Sequence, residues 1–554
     1  MSLYDKASLI QIPSLYKDGL LVSTVPEDRS GDFTFSRGSN LSATRVKEDG
    51  YIEKGYENLL LQSNTFSDAT WGKSGVTLTS GQSGYNGSSD AWLITSIGGN
   101  LNRGQNDTGV LTFSVYAKKG TNDGIRIRFD QTSDSNIYID LNDGSDTRSA
   151  VNVISHITTS VGGGWYKISM TFVSSGLTLF RIYPTDDAGN PAAGSIYIQD
   201  AQINQGLAAL PYVESGATKG KGGLLENTPR IDFTGGTPSL LLEPSRTNLI
   251  TQSEYFGGSD WISSNVTITD NATTSPEGVQ NATLINFTSG ANYFQNGGGG
   301  MVSGNTYTIS CYVKRALSTD QVFKIYGNGN IVSGDFTATS EWQRFTYTFT
   351  AASTNFSCGL TTPSICQIHL YGFQVEQATY KASYIPTYGV GQTRAADSVT
   401  PLQNLRDNGI TTSGAYTLFF DLSADIEGRN DGNNSQIVNL FSGQDATSET
   451  ISIRKYDNTT FGKLRVYSNT DSSFIDYVNS TNRKYAMVVN GTNVKFFTDG
   501  AEQWEYNGTN QQDNLGAIKF NYGHSDRTST NWSQVLLFPT ALTDSECIAL
   551  TTIT

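Results

Sequence analysis

The chain has 554 residues, of which 37 are Lys or Arg and 51 are Asp or Glu, so its net charge is −14 at neutral pH. At roughly 100–200 residues per domain, this length predicts three or four domains. The acidic balance argues against nonspecific nucleic-acid binding, which needs clustered Lys and Arg. No apolar run reaches the about 18 residues of a membrane-spanning helix, so we expect no membrane insertion.

Residues 1–55 are predicted to form an extended N-terminal arm. They contain short apolar clusters at 9–10, 15–16 and 20–22, and Pro13 and Pro26 interrupt this stretch. Clusters of this size cannot form a core alone, so we expect the arm to pack on another protein or on the first folded domain. The N-terminus also lacks the apolar run of a signal peptide.

An internal repeat organises residues 56–398. The segment at 58–63 returns at 248–253, a spacing of 190 residues, and further landmarks follow in the same order. The spacing falls to 172 residues at the last matched pair, as expected if loops vary while strands persist. We therefore predict two related domains, copy 1 (56–214) and copy 2 (246–398), with a linker at 215–245. The matched landmarks are Phe66, Trp71, Tyr116, Trp165 and Tyr212 in copy 1, and Phe256, Trp261, Tyr312, Trp342 and Tyr384 in copy 2.

Each copy contains short stretches of alternating apolar and polar residues, such as 111–116 and 166–172, separated by polar turns. A period of two places one side of a strand in the core and the other in water. Regular short strands of this kind indicate a β-sandwich or a jelly roll. We interpret Trp71 and Trp261 as core residues because they match in both copies, and we apply the same interpretation to Trp165 and Trp342.

Residues 411–554 show no relation to the repeat but also alternate in short strands, and they predict a third β-sandwich. Near its end, Thr543 followed by Glu546 three residues later predicts a capping box at the start of one short helix, which contains Cys547.

The four cysteines are too few for a disulfide framework. Cys311 alternates with apolar residues and is predicted to be a core thiol, whereas Cys358 and Cys366 leave a disulfide across a hairpin open as an alternative. No Cys or His spacing suggests zinc, and we predict no cofactor. Calcium binding is left as an alternative at one oxygen-rich loop, although the spacing of the loop residues fits no EF-hand. The acidic and amide residues of this loop are Asp425, Glu427, Asn430 and Asp431.

Several motifs resemble a module common in tailed-bacteriophage virion proteins. They lie at 35–40 (FSRGSN), 229–233 (PRIDF), 238–244 (PSLLLEP) and 392–397 (QTRAAD). In that family they lead into a jelly roll similar to carbohydrate-binding modules, and residues 411–554 are similar to laminin-G/concanavalin-like sandwiches. Copy 1 departs from the pattern, because residues 54–57 stand where copy 2 has PSLLLEP.

The resemblance implies an all-β protein with two tandem jelly rolls, a C-terminal laminin-G/concanavalin-like sandwich and an N-terminal arm that attaches to other virion proteins. It implies a homo-oligomer, with a trimer expected, made in the host cytoplasm and located on the virion surface. The first hypothesis for its function is a fibre, spike or decoration protein that binds host or environmental glycans. The alternatives are a purely architectural virion component and a polysaccharide depolymerase.

We predict no enzymatic activity, because His156, His369 and His524 are scattered and no nucleophile motif or phosphate loop is present. The 51 acids still allow a carboxylate pair of the kind that glycosidases use. For glycan contact, we select aromatic residues near loops of the last domain that the repeat does not match. They are Trp504, Tyr506, Tyr522 and Trp532.

Overall fold

The computed structural model describes residues 2–38, 41–176, 178–297, 300–328, 331–412, 414–422, 427–428, 435–442, 449–456, 463–468, 473–478, 484–509, 514–520 and 528–552. Almost all regular structure in these residues is β, and the predicted all-β class with tandem sandwiches is confirmed. No helix of the described residues combines the length and the apolar character needed to cross a membrane.

The first 58 residues form strands that pair with other parts of the chain. The elements are a 3-10 helix Leu3–Lys6, β1 (Leu9–Lys17), β2 (Leu20–Val25), β3 (Phe33–Ser36), β4 (Thr44–Val46) and β5 (Ile52–Asn58). Strands β4 and β5 pair antiparallel, and we call residues 44–58 the N-terminal hairpin.

Copy 1 is a two-layer sandwich in which one long strand belongs to both layers. The first part of β7 pairs with β15, and its last residues pair with β14. Phe129 on β9 and Phe172 on β13 meet in the core with ring centroids 4.0 Å apart, which closes the two layers on each other. The strands are β6 (Gly72–Gln82), β7 (Ala91–Gln105), β8 (Thr108–Lys119), β9 (Gly124–Asp130), β10 (Ser135–Asp140), β11 (Asp146–Val151), β12 (Ser155–Gly162), β13 (Trp165–Ser175), β14 (Thr178–Thr185) and β15 (Ala193–Gln205).

Copy 2 repeats this sandwich as two separate sheets, in the orders β20-β23-β29-β25-β26 and β21-β22-β30-β24-β28, with β27 paired to β25. Trp261 lies in its core, 4.6 Å from the ring centroid of Phe294. The connecting strands are β16 (Gly220–Gly223), β17 (Arg230–Asp232), β18 (Ser239–Leu242) and β19 (Arg246–Asn248). Copy 2 follows with β20 (Trp261–Ser264), β21 (Val266–Thr274), β22 (Gln280–Phe287), β23 (Tyr293–Asn296), β24 (Thr306–Arg315), β25 (Gln321–Gly327), β26 (Ile331–Val332), β27 (Phe336–Ala338), β28 (Gln343–Thr350), β29 (Cys358–Thr361), β30 (Cys366–Glu376), β31 (Gln392–Arg394) and β32 (Ser398–Pro401).

The C-terminal sandwich is completed by strands from three earlier parts of the chain. Its strand β43 pairs with β1, where Leu537 lies opposite Leu9. The same strand pairs with β18, where Trp532 lies opposite Leu240. The third earlier strand, β32, pairs with β42. Residues of 1–36 and of 230–242 therefore share the core of this domain. Its own elements are β33 (Ala415–Leu422), β34 (Glu427–Gly428), β35 (Ser435–Phe441), β36 (Glu449–Tyr456), β37 (Lys463–Ser468), β38 (Ser473–Val478), β39 (Lys484–Asn490), β40 (Asn493–Thr498), β41 (Ala501–Asn507), β42 (Ala517–Phe520), β43 (Thr528–Phe538) and the helix α1 (Asp544–Thr551).

A buried ion cluster joins these segments to copy 2. Arg230 bonds the carboxylates of Glu243 and Asp397, and all three side chains are 4 % exposed or less. Arg394 lies 2.8 Å from Glu243, and Arg37 lies 3.2 Å from Asp397. These five residues belong to the motifs at 35–40, 229–233, 238–244 and 392–397, so the motifs hold the junction together. Arg suits this role because its planar fork can bond two carboxylates at once.

The cysteines and the helix cap resolve two predictions. All four cysteines are free and buried, so the prediction for Cys311 is confirmed and the disulfide alternative is wrong. Cys358 and Cys366 begin β29 and β30, which belong to the two different sheets of copy 2 and do not form a hairpin. The capping box is confirmed, because Thr543 accepts a hydrogen bond from the Glu546 amide and donates its own amide to that carboxylate.

Candidate functional site

One side of copy 1 carries six polar and aromatic side chains in two rows across three neighbouring strands. The β-ladder places Lys118 of β8 between Trp165 of β13 and Tyr197 of β15. Two residues along, it places Tyr116 between Lys167 and Gln199. Alternation places all six on the side opposite to the fully buried Val115, Ala117 and Ile168. Trp165 and Gln199 are nevertheless only 3 % and 0 % exposed, whereas the other four are partly exposed. We call these six residues the outer face of copy 1: Tyr116, Lys118, Trp165, Lys167, Tyr197 and Gln199.

An aromatic stack borders this face. Tyr85, from the loop between β6 and β7, lies parallel to Tyr116 with ring centroids 3.6 Å apart. Its hydroxyl donates to Asp200 Oδ2 over 3.0 Å, and its amide donates to Gln199 Oε1 over 3.1 Å. Burial raises the pKa of Asp200 to about 6. The stack is therefore fixed by hydrogen bonds before any ligand arrives.

Copy 2 has the same pattern at the matching positions. Its ladder places Lys314 beside His369, and Tyr312 between Arg344 and Tyr371. Trp342 lies two residues before Arg344, as Trp165 lies two residues before Lys167 in copy 1. Burial, with Lys314 nearby, lowers the pKa of His369 to about 4.

The two copies differ in what covers this pattern. In copy 2 the N-terminal hairpin packs on it, with Val46 and Ile52 against Tyr312 and Trp342. The Ile52 amide also donates to the Pro276 carbonyl over 2.8 Å. In copy 1, no described residue of another domain forms a hydrogen bond or ion pair with the outer face.

A buried lysine fixes the N-terminal hairpin on copy 2. Lys54 Nζ lies 2.8 Å from Glu254 Oε1 and 2.6 Å from Glu277 Oε1. Burial alone would lower the pKa of Lys54, but the two carboxylates hold it well above its usual value. The hydroxyls of Tyr371, Tyr384 and Tyr388 also donate to Glu254. In copy 1, Asn64 takes the place of Glu254, directly after the matched Ser63, and cannot bind a lysine in this way.

A cleft of about 240 Å³ lies where the hairpin, copy 1 and the end of copy 2 meet. Tyr56, Tyr388 and Val390 form apolar parts of its wall. Its two carboxylates already share a cation, because Lys221 Nζ lies 3.9 Å from Glu57 and 3.3 Å from Glu226. The outer face of copy 1, whose cations have no such partner among the described residues, is the stronger candidate.

The structure separates the four aromatic residues selected from the sequence. Trp532 is 1 % exposed and packs between Phe420 and Phe520, so its ring cannot stack on a sugar. Trp504 and Tyr506 lie on the same side of β41, opposite Phe496 and Val494 of β40, and Trp504 packs against the core beside Phe496. Tyr522 and the loop with Asp425, Asn430 and Asp431 lie outside the described residues, as does the side chain of Glu427. The described residues contain no His, Cys, Asp and Glu cluster suited to a metal ion.

The tryptophans shared by the two copies follow two patterns. Trp71 and Trp261 are core residues as predicted. Trp71 Nε1 donates to the Gln62 carbonyl over 3.0 Å, and Trp261 Nε1 donates to the Gln252 carbonyl over 2.9 Å. Trp165 is also buried, at 3 % exposed, but it lies on the opposite side of β13 from Ile168 and outside the main core cluster of copy 1. Strict alternation along 165–172 would have predicted that Trp165 lies on the side of β13 opposite to Ile168. Tyr85 could not be predicted in this way, because it lies in a loop and belongs to no alternating pattern.

Comparisons with known proteins complete this description. No family model and no curated protein matches the chain. A xylan-binding CBM22-1 domain from Paenibacillus barcinonensis Xyn10C is 13 % identical and covers 26 % of this chain and 99 % of its own, with a TM-score of 0.20. The CBM22-1–CBM22-2 tandem of the same protein is 8 % identical and covers 62 % of this chain and 100 % of its own, with a TM-score of 0.21. The CBM22-1–GH10 modules of Clostridium thermocellum Xyn10B with xylohexaose are 14 % identical with a TM-score of 0.19; the match covers 26 % of this chain and 30 % of theirs. With scores this low, the functional argument rests on the geometry of the outer face.

Proposed function

We propose that this protein is a non-enzymatic component of a bacteriophage particle surface, of the fibre, spike or decoration type, and that it binds glycans on the outer face of copy 1. The observation that carries the proposal is the contrast between the copies. One pattern of aromatic and cationic side chains is covered by the N-terminal hairpin in copy 2. In copy 1 the same pattern forms no hydrogen bond or ion pair with a described residue of another domain.

The chemistry of the outer face suits a sugar. A pyranose ring presents C–H groups on its faces and hydroxyls at its edge, so it needs aromatic rings beside hydrogen-bonding side chains. Tyr116 and Tyr197 supply rings, and the partly exposed Lys118 and Lys167 supply polar groups, all on a rigid sheet. Because these groups are already ordered, little conformational entropy is lost on binding. Display of many copies on one particle would add avidity to weak single sites.

The particle location is supported by the motif resemblance at 35–40, 229–233, 238–244 and 392–397. Labelling of purified phage particles with antibodies against this chain tests it, and unlabelled particles would contradict it. Light scattering of the purified protein tests the expected trimer.

A glycan array with the full chain tests the binding. We expect Tyr116→Ala and Tyr197→Ala to lose binding while the protein stays folded. Tyr138→Ala is the matched control, because this half-buried tyrosine lies on β10 in the other layer and stacks on Arg126. Absence of glycan binding by the wild type would favour the architectural alternative. Release of new reducing ends from a bound polysaccharide would instead indicate a depolymerase.

A further inference from the structure

The two lysines of the outer face differ from their counterparts in copy 2. In copy 2, Lys314 lies 5.0 Å from the Trp342 ring centroid, and Arg344 lies 5.3 Å from that of Tyr312. Arg344 also donates to Ser310 Oγ over 2.9 Å. In copy 1, neither Lys118 nor Lys167 forms a hydrogen bond, ion pair or ring contact with any described residue. The same pattern of residues therefore leaves two cations unsatisfied in copy 1 alone.

Lys167 is also partly withdrawn from water. Burial lowers its pKa, and no carboxylate in the described part of the chain compensates for the lost hydration. Burying a charge without a partner is unfavourable, so a bound anion would stabilise this arrangement.

The acids beside the face are already engaged. Asp200 accepts the hydrogen bond from Tyr85, and Asp90 accepts one from Gln199 Nε2 over 2.6 Å. These contacts hold the loop that carries Tyr85 and leave the two lysines facing the open side.

We propose that the outer face binds an acidic polysaccharide and that Lys118 and Lys167 contact its anionic groups, a carboxylate or a phosphate. This inference rests on the proposed glycan binding and names the class of glycan. Lys118 faces Trp165 across the ladder, and Lys167 is two residues further on the same strand. Such diagonal neighbours lie about 7–8 Å apart, within reach of one anion for two long side chains. Tyr116 and Tyr197 then lie together on one side of the charged diagonal, toward β15, where they can contact the sugar rings.

The test uses the full chain on an array of bacterial capsular polysaccharides and exopolysaccharides. Each uronate-bearing polymer is printed in native and carboxyl-reduced form, and each phosphate-bearing polymer in native and dephosphorylated form. We expect binding to the native acidic polymers to be at least tenfold tighter than to their neutralised forms. It should also weaken between about 0.05 M and about 0.5 M salt, because screening shortens the reach of charge. Which pair of polymers shows the difference distinguishes carboxylate from phosphate.

Variants connect this preference to the two lysines. Lys118→Met and Lys167→Met should each reduce the affinity for the acidic polymer at least tenfold, which corresponds to about 1.4 kcal/mol. Lys119→Met is the matched control, since Lys119 is the next residue, points to the other side of β8 and pairs with Asp123 at 3.1 Å. Unchanged melting temperatures show that the variants are folded.

Two outcomes separate this inference from the proposed function. Binding that is equal for native and neutralised polymers, or that survives both lysine substitutions, overturns the acidic-glycan inference and leaves glycan binding intact. Absence of binding to every polymer on the array overturns both.

Discussion

Replacing Lys54 with methionine tests whether buried charge holds the N-terminal hairpin on copy 2. The Lys54, Glu254 and Glu277 side chains are 6 %, 2 % and 4 % exposed, and Lys54 Nζ bonds both carboxylates. Methionine keeps most of the length of lysine but leaves two acidic groups in one buried space. Removing one partner of a buried ion pair costs about 3–5 kcal/mol. We expect a loss of this size in the local stability of the hairpin at neutral pH.

The loss should depend on pH. Burial raises the pKa of Glu254 even with Lys54 present, and without the ammonium group the folded-state value rises further. The folded variant then keeps a proton at pH values where the unfolded chain has released it, so its stability falls as the pH rises through that window. The variant should therefore be closest to wild type near pH 4.5 and furthest from it at about pH 8.

Hydrogen exchange of the amides in β5 measures this local stability directly. A loss of about 3 kcal/mol or more corresponds to at least about a hundredfold faster exchange. Lys47→Met is the control, because Lys47 lies in the same hairpin, is 40 % exposed and pairs with Asp49; a change below about 0.5 kcal/mol is expected there. Exchange in the Lys54 variant within about fivefold of wild type, or a loss that does not vary with pH, would refute the reasoning.

Three further predictions concern single domains. Trp71→Ala removes a side chain that is 1 % exposed and should destabilise copy 1 by about 3–5 kcal/mol; a lowered melting transition of copy 2 with copy 1 unchanged would contradict this. Thr543→Ala removes the N-cap of α1 and should cost about 1 kcal/mol, seen as faster amide exchange in the helix, and equal exchange rates count against the cap. His369 keeps a pKa of about 4 in the folded state, so unfolding is favoured as the pH falls below about 6.5, by about 2–3 kcal/mol at pH 4.5. His369→Gln should flatten this dependence in denaturant titrations at the two pH values, and an unchanged dependence would show that other groups cause it.

Much of the fold could be predicted from local pattern. Alternation at 111–116 and 166–172 gave strands β8 and β13, and the repeat identified two equivalent sandwiches with Trp71 and Trp261 at matching core positions. The capping box at Thr543 was also predictable, because Glu546 follows three residues later. These features depend on residues close together in the chain, or on comparison of one copy with the other.

The candidate site was less predictable. The core interpretation of Trp165 predicted its burial correctly but not the side of β13 on which it lies, which is opposite to that of Ile168. Trp532 was selected for its place near a loop, but β18, almost 300 residues earlier in the chain, pairs with β43 at this residue through Leu240. Burial that comes from so distant a segment has no signature in neighbouring residues.

By itself, the sequence determined the class of structure, the two equivalent copies and the side of each strand that faces the core, because a period of two is a local property of the chain. Only the tertiary structure decided which of two similar faces is covered. The N-terminal hairpin binds copy 2 because Glu254 and Glu277 accept Lys54, whereas Asn64 in copy 1 offers no matching charge. That choice depends on contacts between residues about 200 positions apart, and it is what leaves Lys118 and Lys167 available on copy 1.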